Sequence, residues 1–135
     1  MKMQAKPFVK WAGGKGQLLP QLSDNLPQIL SEQQFTYIEP FVGGGAMLFH
    51  MLQTFPNIRK VVINDINPHL TTAYSVIRNM PTELISRLRE LEHTYLELED
   101  EEDKKAFYLS VRAIFNEEEM DAIDGQEVLF PVALP

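Results

Sequence analysis

Cysteine is absent from this chain of 135 residues, which excludes disulfides, thiolate metal centres and cysteine nucleophiles. Long apolar runs are also missing. No stretch approaches the roughly 20 residues of a membrane-spanning helix, and Met1 to Lys10 contains no apolar signal core. A soluble intracellular protein is therefore expected. His50, His69 and His93 stand in three separate segments without a neighbour at ligand spacing, so no metal site is expected. No serine lies in a G-x-S-x-G context, which removes that nucleophile elbow. Positive charge is scarce, with 12 Lys and Arg against 19 Asp and Glu and a net charge of −7. The scarcity is uneven. Residues 1–60 carry six basic and three acidic side chains, or +3, and residues 61–135 carry six and sixteen, or −10. Attraction of nucleic acid needs a positive face, and only the N-terminal part offers one, modestly.

What is present suffices for one domain with a core, since 44% of the residues are hydrophobic. Leu18, Leu19, Leu22 and Leu26 recur at helical spacing, with Pro20 tolerable only in a first turn. A polar connection is expected to run on through Gln34. Phe35-Thr-Tyr-Ile-Glu-Pro-Phe-Val42 is aromatic and β-branched, which predicts a short strand ending at Glu39 or Phe41 because Pro40 would interrupt a ladder. Gly43-Gly44-Gly45 follows, then a breaker-free helix from Ala46 to Phe55. Lys60-Val-Val-Ile-Asn-Asp65 predicts a second strand. Together these form one βαβ unit with both strands expected to be buried on both faces. Asn67-Pro68 signals a helix start, and Pro81 opens a longer helix with a stripe of Leu84, Leu88, Leu91, Tyr95 and Leu98. Glu99 to Asp103 reads as a solvated connection. Another amphipathic helix carries Phe107, Tyr108, Val111, Ile114 and Phe115, followed by an acidic segment and an apolar tail from Val128 to Leu134.

Two places combine residues that carry chemistry. A glycine turn between strand and helix lets a ligand approach the backbone near unpaired N–H donors, and a tight structural turn explains the same glycines. Asp65, twenty residues after Gly45 at the end of the next strand, stands where a nucleoside-binding fold puts a ribose acceptor, although an N-capping role fits it as well. Leu48 leaves the pattern G-x-G-x-x-G incomplete. Lys10-Trp11-Ala12-Gly13-Gly14-Lys15 suits a ligand with a flat ring and a carboxylate. On its own it is explained more simply by a core tryptophan between solvated lysines.

Lys10-Trp-Ala-Gly-Gly-Lys15, Glu39-Pro-Phe-Val-Gly-Gly-Gly-Ala46 and Asn64-Asp-Ile-Asn67, in this order and spacing, resemble the adenine-specific DNA methyltransferases that include Dam-type and restriction-modification enzymes. The resemblance covers about residues 6 to 116. It implies an α/β, Rossmann-like fold that uses S-adenosylmethionine to methylate the N6 of adenine in double-stranded DNA, in a cytoplasmic protein of bacterial or phage type. By the same resemblance Trp11 and Lys15 contact the cofactor, with Lys15 able to pair its carboxylate. Pro40, Phe41, Gly43 and Gly45 cradle its methionine part, Asp65 holds the ribose, Ile66 packs on the adenine, and Lys10 faces a DNA phosphate.

The family's catalytic motif, Asp-Pro-Pro-Tyr, has no counterpart, because the sequence contains no Pro-Pro pair. The chain is therefore expected to be an N-terminal fragment, with an incomplete fold of one βαβ unit plus helices. Residues 1–80 would form the cofactor-binding part, 81–116 a helical segment leading toward the target-recognition region, and 117–135 an acidic then apolar tail. The alternative is a non-catalytic cofactor-binding or assembly fragment that needs a complementary chain. A small-molecule methyltransferase is disfavoured by the Trp11 motif. An open sheet edge is expected to promote self-association, with Val128 to Leu134 as an added strand.

Overall fold

Pro20 lies in the first turn of helix α1 (Leu19–Asp24), where its missing N–H would have had no intrahelical partner. A 3-10 turn, Gly16–Leu18, leads into it. The computed structural model describes the backbone of residues 3–123 and 132–134. The expected connection through Gln34 is not wholly irregular, since Gln28–Ser31 forms a second 3-10 turn. Leu30 of this turn packs on Met47, Met51 and Phe55 together with Leu19, Leu22 and Leu26 from the preceding segment.

Strand β1 (Phe35–Glu39), helix α2 (Ala46–Thr54) and strand β2 (Ile58–Ile63) form the expected strand–turn–helix–strand unit, and the two strands pair in parallel. β2 begins and ends two residues earlier than its apolar run suggested. Asp65 thus stands in the loop beyond the strand, although Asn64 still pairs with the chain of β1, donating to the Glu39 carbonyl at 2.9 Å. The register sets Tyr37 beside Val61 and Glu39 beside Ile63. Val61 and Ile63 join Val42, Leu48 and Tyr74 in the core, with Tyr37 packed against it.

The strands are not buried on both faces, contrary to the alternation-free reading of their sequences. Thr36, Ile38 and Lys60, at the intervening positions, are exposed. A period-2 strand presents alternate side chains to opposite faces, and α2 with Tyr74 covers one face only. Strand β3 (Val132–Leu134) pairs antiparallel with β2, giving the order β1-β2-β3. The expected extra strand therefore lies, over these three residues, on the sheet of its own chain; Val128 to Pro131 fall outside the described residues.

Helix α3 (Pro68–Asn79) starts as expected, with Asn67 Oδ1 accepting the His69 N–H at 2.9 Å. Contacts divide the chain into two units, residues 1–75 with 129–135, and residues 76–128. The second unit contains α4 (Pro81–Leu96) and α5 (Glu101–Ile123). Glu101, Glu102 and Asp103 belong to the first turn of α5, not to a connection as their charge suggested. Asp100 Oδ1 accepts the Glu102 N–H at 2.8 Å, and carboxylates at a helix N-terminus are favoured by its dipole. α4 buries none of its residues, so Leu88, Leu91 and Tyr95 remain exposed. Tyr95 meets the Phe107 ring at a centroid distance of 6.4 Å.

Candidate functional site

The glycine turn after β1 is built around positive φ angles at Gly43 (+53°) and Gly45 (+89°), a region that L side chains rarely adopt. The turn is stapled on both sides. Gly43 donates its N–H to Asp65 Oδ2 at 2.9 Å, while Tyr74 in α3 donates its hydroxyl to the Gly43 carbonyl at 2.9 Å. Burial, followed by the charges of Glu39 and Asp65, pushes the Tyr74 hydroxyl well above the ordinary tyrosine range, so it stays a donor.

Asp65 is 8% exposed, and its second oxygen accepts the Asn67 N–H at 3.0 Å. Both carboxylate oxygens therefore tie the glycine turn to the start of α3. A carboxylate has about four acceptor positions, so two are left for a ligand.

The segment of residues 3–15 lies across this turn without helix or strand of its own. A Cβ placed on Gly43 would come 3.4 Å from Trp11 Cδ1, and one on Gly44 would come 3.2 Å from the Val9 carbonyl oxygen. The approach is close because the turn has no side chains. Gln53 donates to the Ala5 carbonyl at 2.6 Å, and the Phe8 ring meets Tyr74 edge-on at 5.3 Å, which fixes the arm at two points.

Its third anchor is charged. Lys15 Nζ donates to Glu39 Oε1 at 2.9 Å and to the Phe41 carbonyl at 2.6 Å. Glu39 is 6% exposed, and its other oxygen accepts the Tyr37 hydroxyl at 2.8 Å. Burial, then the bond to Glu39 and its charge, raise the Tyr37 hydroxyl far above its usual range.

Between arm and turn opens a cleft of about 790 Å³, with Trp11, Gly13, Lys15, Phe41, Gly43 and Asp65 among its walls. The structure thus brings Trp11, Lys15, Phe41, Gly43 and Asp65 together from three distant segments. Trp11 is 42% exposed, a wall residue and not a core one. Pro40, Gly45 and Ile66 are not among the walls. Gly45 instead caps α2 against Tyr74 and Phe49. Pro40 is exposed beside the turn, and Ile66 is 83% exposed just beyond Asp65. Lys10 is exposed on the arm, outside the cleft.

Glu39 was not singled out as a functional residue from sequence. Its signal was there: the period of two that turns Phe35 and Tyr37 inward also turns Glu39 inward, and an inward carboxylate needs a partner. Among the described residues no group of three His, Asp or Glu side chains could hold a metal ion. No helix there is long and apolar enough to cross a membrane.

A parallel βαβ unit, with a cleft at its glycine turn and a carboxylate beyond the second strand, is the arrangement by which α/β proteins place ligands at the carboxyl ends of their strands. Residues 11–134 match the family described as D12 class N6 adenine-specific DNA methyltransferase, and the chain belongs to that family. It is 47% identical over 127 residues to Type II methyltransferase M.MjaIII of Methanocaldococcus jannaschii, covering 93% of this chain and 43% of the relative. It is 32% identical over 126 residues to Type II methyltransferase M1.LlaDCHI of Lactococcus lactis subsp. cremoris, covering 93% and 38%. With a DNA adenine methylase of Vibrio cholerae the identity is 30% over 117 residues, covering 87% and 36%. The chain therefore spans roughly two fifths of the length of these relatives. No solved structure matches it.

Proposed function

We propose that this chain is the cofactor-binding part of an S-adenosylmethionine-dependent DNA adenine N6-methyltransferase with a Rossmann-like fold. The observation that carries the proposal is the cleft itself, where an indole, a glycine turn and a buried carboxylate meet from three separate segments. The residues fit the group. Asp65 has acceptor capacity for a ribose diol, and Trp11 and Phe41 give flat apolar walls. Gly43 admits a ligand to the backbone, while Pro40 and Gly45 shape the turn around it. Lys15, with two of its three protons committed, has one for the carboxylate of the methionine part. Exposed Ile66 offers an apolar surface for the adenine ring. When bound, S-adenosylmethionine supplies a methyl group activated on a sulfonium; this chain's residues bind it, orient it and shield it from water.

Lys10, exposed on the same arm, suits a phosphate of double-stranded DNA. Residues 1–80 would carry the cofactor site, and 81–116 would lead toward the target-recognition region. The single tryptophan makes the binding test direct. Titration with S-adenosylmethionine is expected to change Trp11 emission saturably, and S-adenosylhomocysteine should compete while ATP should not. Equal competition by ATP would point to a nucleotide site of another kind. Because these residues include no Asp-Pro-Pro-Tyr, the chain by itself is expected to put no labelled methyl on adenine in duplex DNA. Label recovered in N6-methyladenine with the pure chain would show that the motif is dispensable.

A further inference from the structure

Lys15 is not a free counter-ion waiting for a ligand. Its ammonium is already engaged by Glu39 and by the Phe41 carbonyl, across 24 and 26 residues of sequence. Three further ion pairs, Arg87–Glu90, His93–Glu97 and Lys104–Glu101, join residues three or four apart in and beside α4 and α5, each with at least one well-exposed partner, where such pairs contribute little. The Lys15–Glu39 pair differs in kind. It joins an arm without secondary structure to the carboxyl end of β1, and its carboxylate is buried and doubly hydrogen-bonded.

A half-buried ion pair of this kind stabilises a fold poorly compared with apolar packing, because the Glu39 carboxylate loses most of its hydration while the Lys15 ammonium stays partly in solvent. What it does supply is direction, since a charge-assisted bond fixes where the ammonium sits. Glu39 is itself fixed, its second oxygen held by Tyr37, whose ring packs against the core. The chain of contacts runs from core to Tyr37, to Glu39, to Lys15, to the cleft wall of Trp11 through Gly16.

We propose that Glu39 is the positioning residue of the cleft: by clamping Lys15 to the end of β1, it fixes the wall from Trp11 to Gly16 opposite the glycine turn. It acts through Lys15 and does not line the cleft itself. The effect on ligand affinity rests on the cofactor reading above; the effect on the arm does not.

The test uses the 135-residue chain and Trp11 as its only indole. Glu39→Gln removes the charge and leaves a side chain of the same size. Acrylamide quenching of Trp11 without ligand should rise about twofold, and S-adenosylmethionine affinity should fall about tenfold, as expected for loss of a charge-assisted bond. If Glu39→Gln fails to fold by circular dichroism, Lys15 decides from the other end. Lys15→Gln should then loosen Trp11 while Lys15→Arg, which retains the ion pair, restores it. Unchanged quenching in Glu39→Gln, or equal quenching in Lys15→Gln and Lys15→Arg, would overturn the proposal. Looser Trp11 in a chain whose wild type binds no S-adenosylmethionine would leave the clamp standing and remove the cofactor reading.

Discussion

Asp65→Ala should weaken S-adenosylmethionine binding by about 100-fold and lower stability by about 2–4 kcal/mol, summing the loss of hydrogen bonds to the ligand and to two backbone amides. The two effects share one cause. Asp65 is buried, and its oxygens accept N–H groups from Gly43 at 2.9 Å and from Asn67 at 3.0 Å. Alanine leaves both amides short of a partner and frees the glycine turn from the start of α3. Asparagine is no remedy. It retains one acceptor but turns an NH2 toward an N–H donor, so Asp65→Asn should resemble the alanine variant. Calorimetric titration and thermal melts separate the roles. An unchanged melting temperature would mean that the two backbone bonds carry no stability. An unchanged affinity would remove Asp65 as the ribose acceptor.

Gly45→Ala should lower stability by about 3 kcal/mol, from a left-handed backbone penalty of 1–2 kcal/mol and a similar overpacking term. Gly45 has φ +89° and caps α2, and its added Cβ would stand 2.6 Å from the Tyr74 hydroxyl and 2.8 Å from Phe49 Cε2. Tyr74 cannot retreat easily. It is 2% exposed and bonds the Gly43 carbonyl, so moving it would break the same turn from the other side. Gly16→Ala is the control: a Cβ there meets nothing within 4 Å, and its φ is not positive. Urea denaturation should place Gly45→Ala far below wild type and Gly16→Ala within about 0.5 kcal/mol of it, the usual range for a surface change. Equal midpoints for the two variants would show that the turn can relax around a side chain.

The sequence alone determined the order of elements that matters. Pro20, Pro68 and Pro81 each opened a helix, because proline fixes φ and lacks only an N–H that a first turn does not use. The glycines between an aromatic, β-branched run and a breaker-free helix marked the turn, and three short motifs marked the family to which the chain belongs. These are local facts, set by the conformational limits of individual residues.

Tertiary structure decided the partners. Whether Trp11 is a core side chain or a wall depended on where an irregular arm lies, and no periodicity encodes that placement. Lys15 reads from sequence only as a ligand's counter-ion; its distance to Glu39, 24 positions away, gives it a protein partner as well. Glycines 43 and 45, alike in sequence, parted in space: one faces the cleft, the other meets Tyr74 and Phe49. The acidic residues from Glu101 to Asp103 went to a helix start, and the faces of β1 differed in burial, through packing and capping rather than composition. A residue's type fixes what it can bond, but only the fold brings the bonding group within reach.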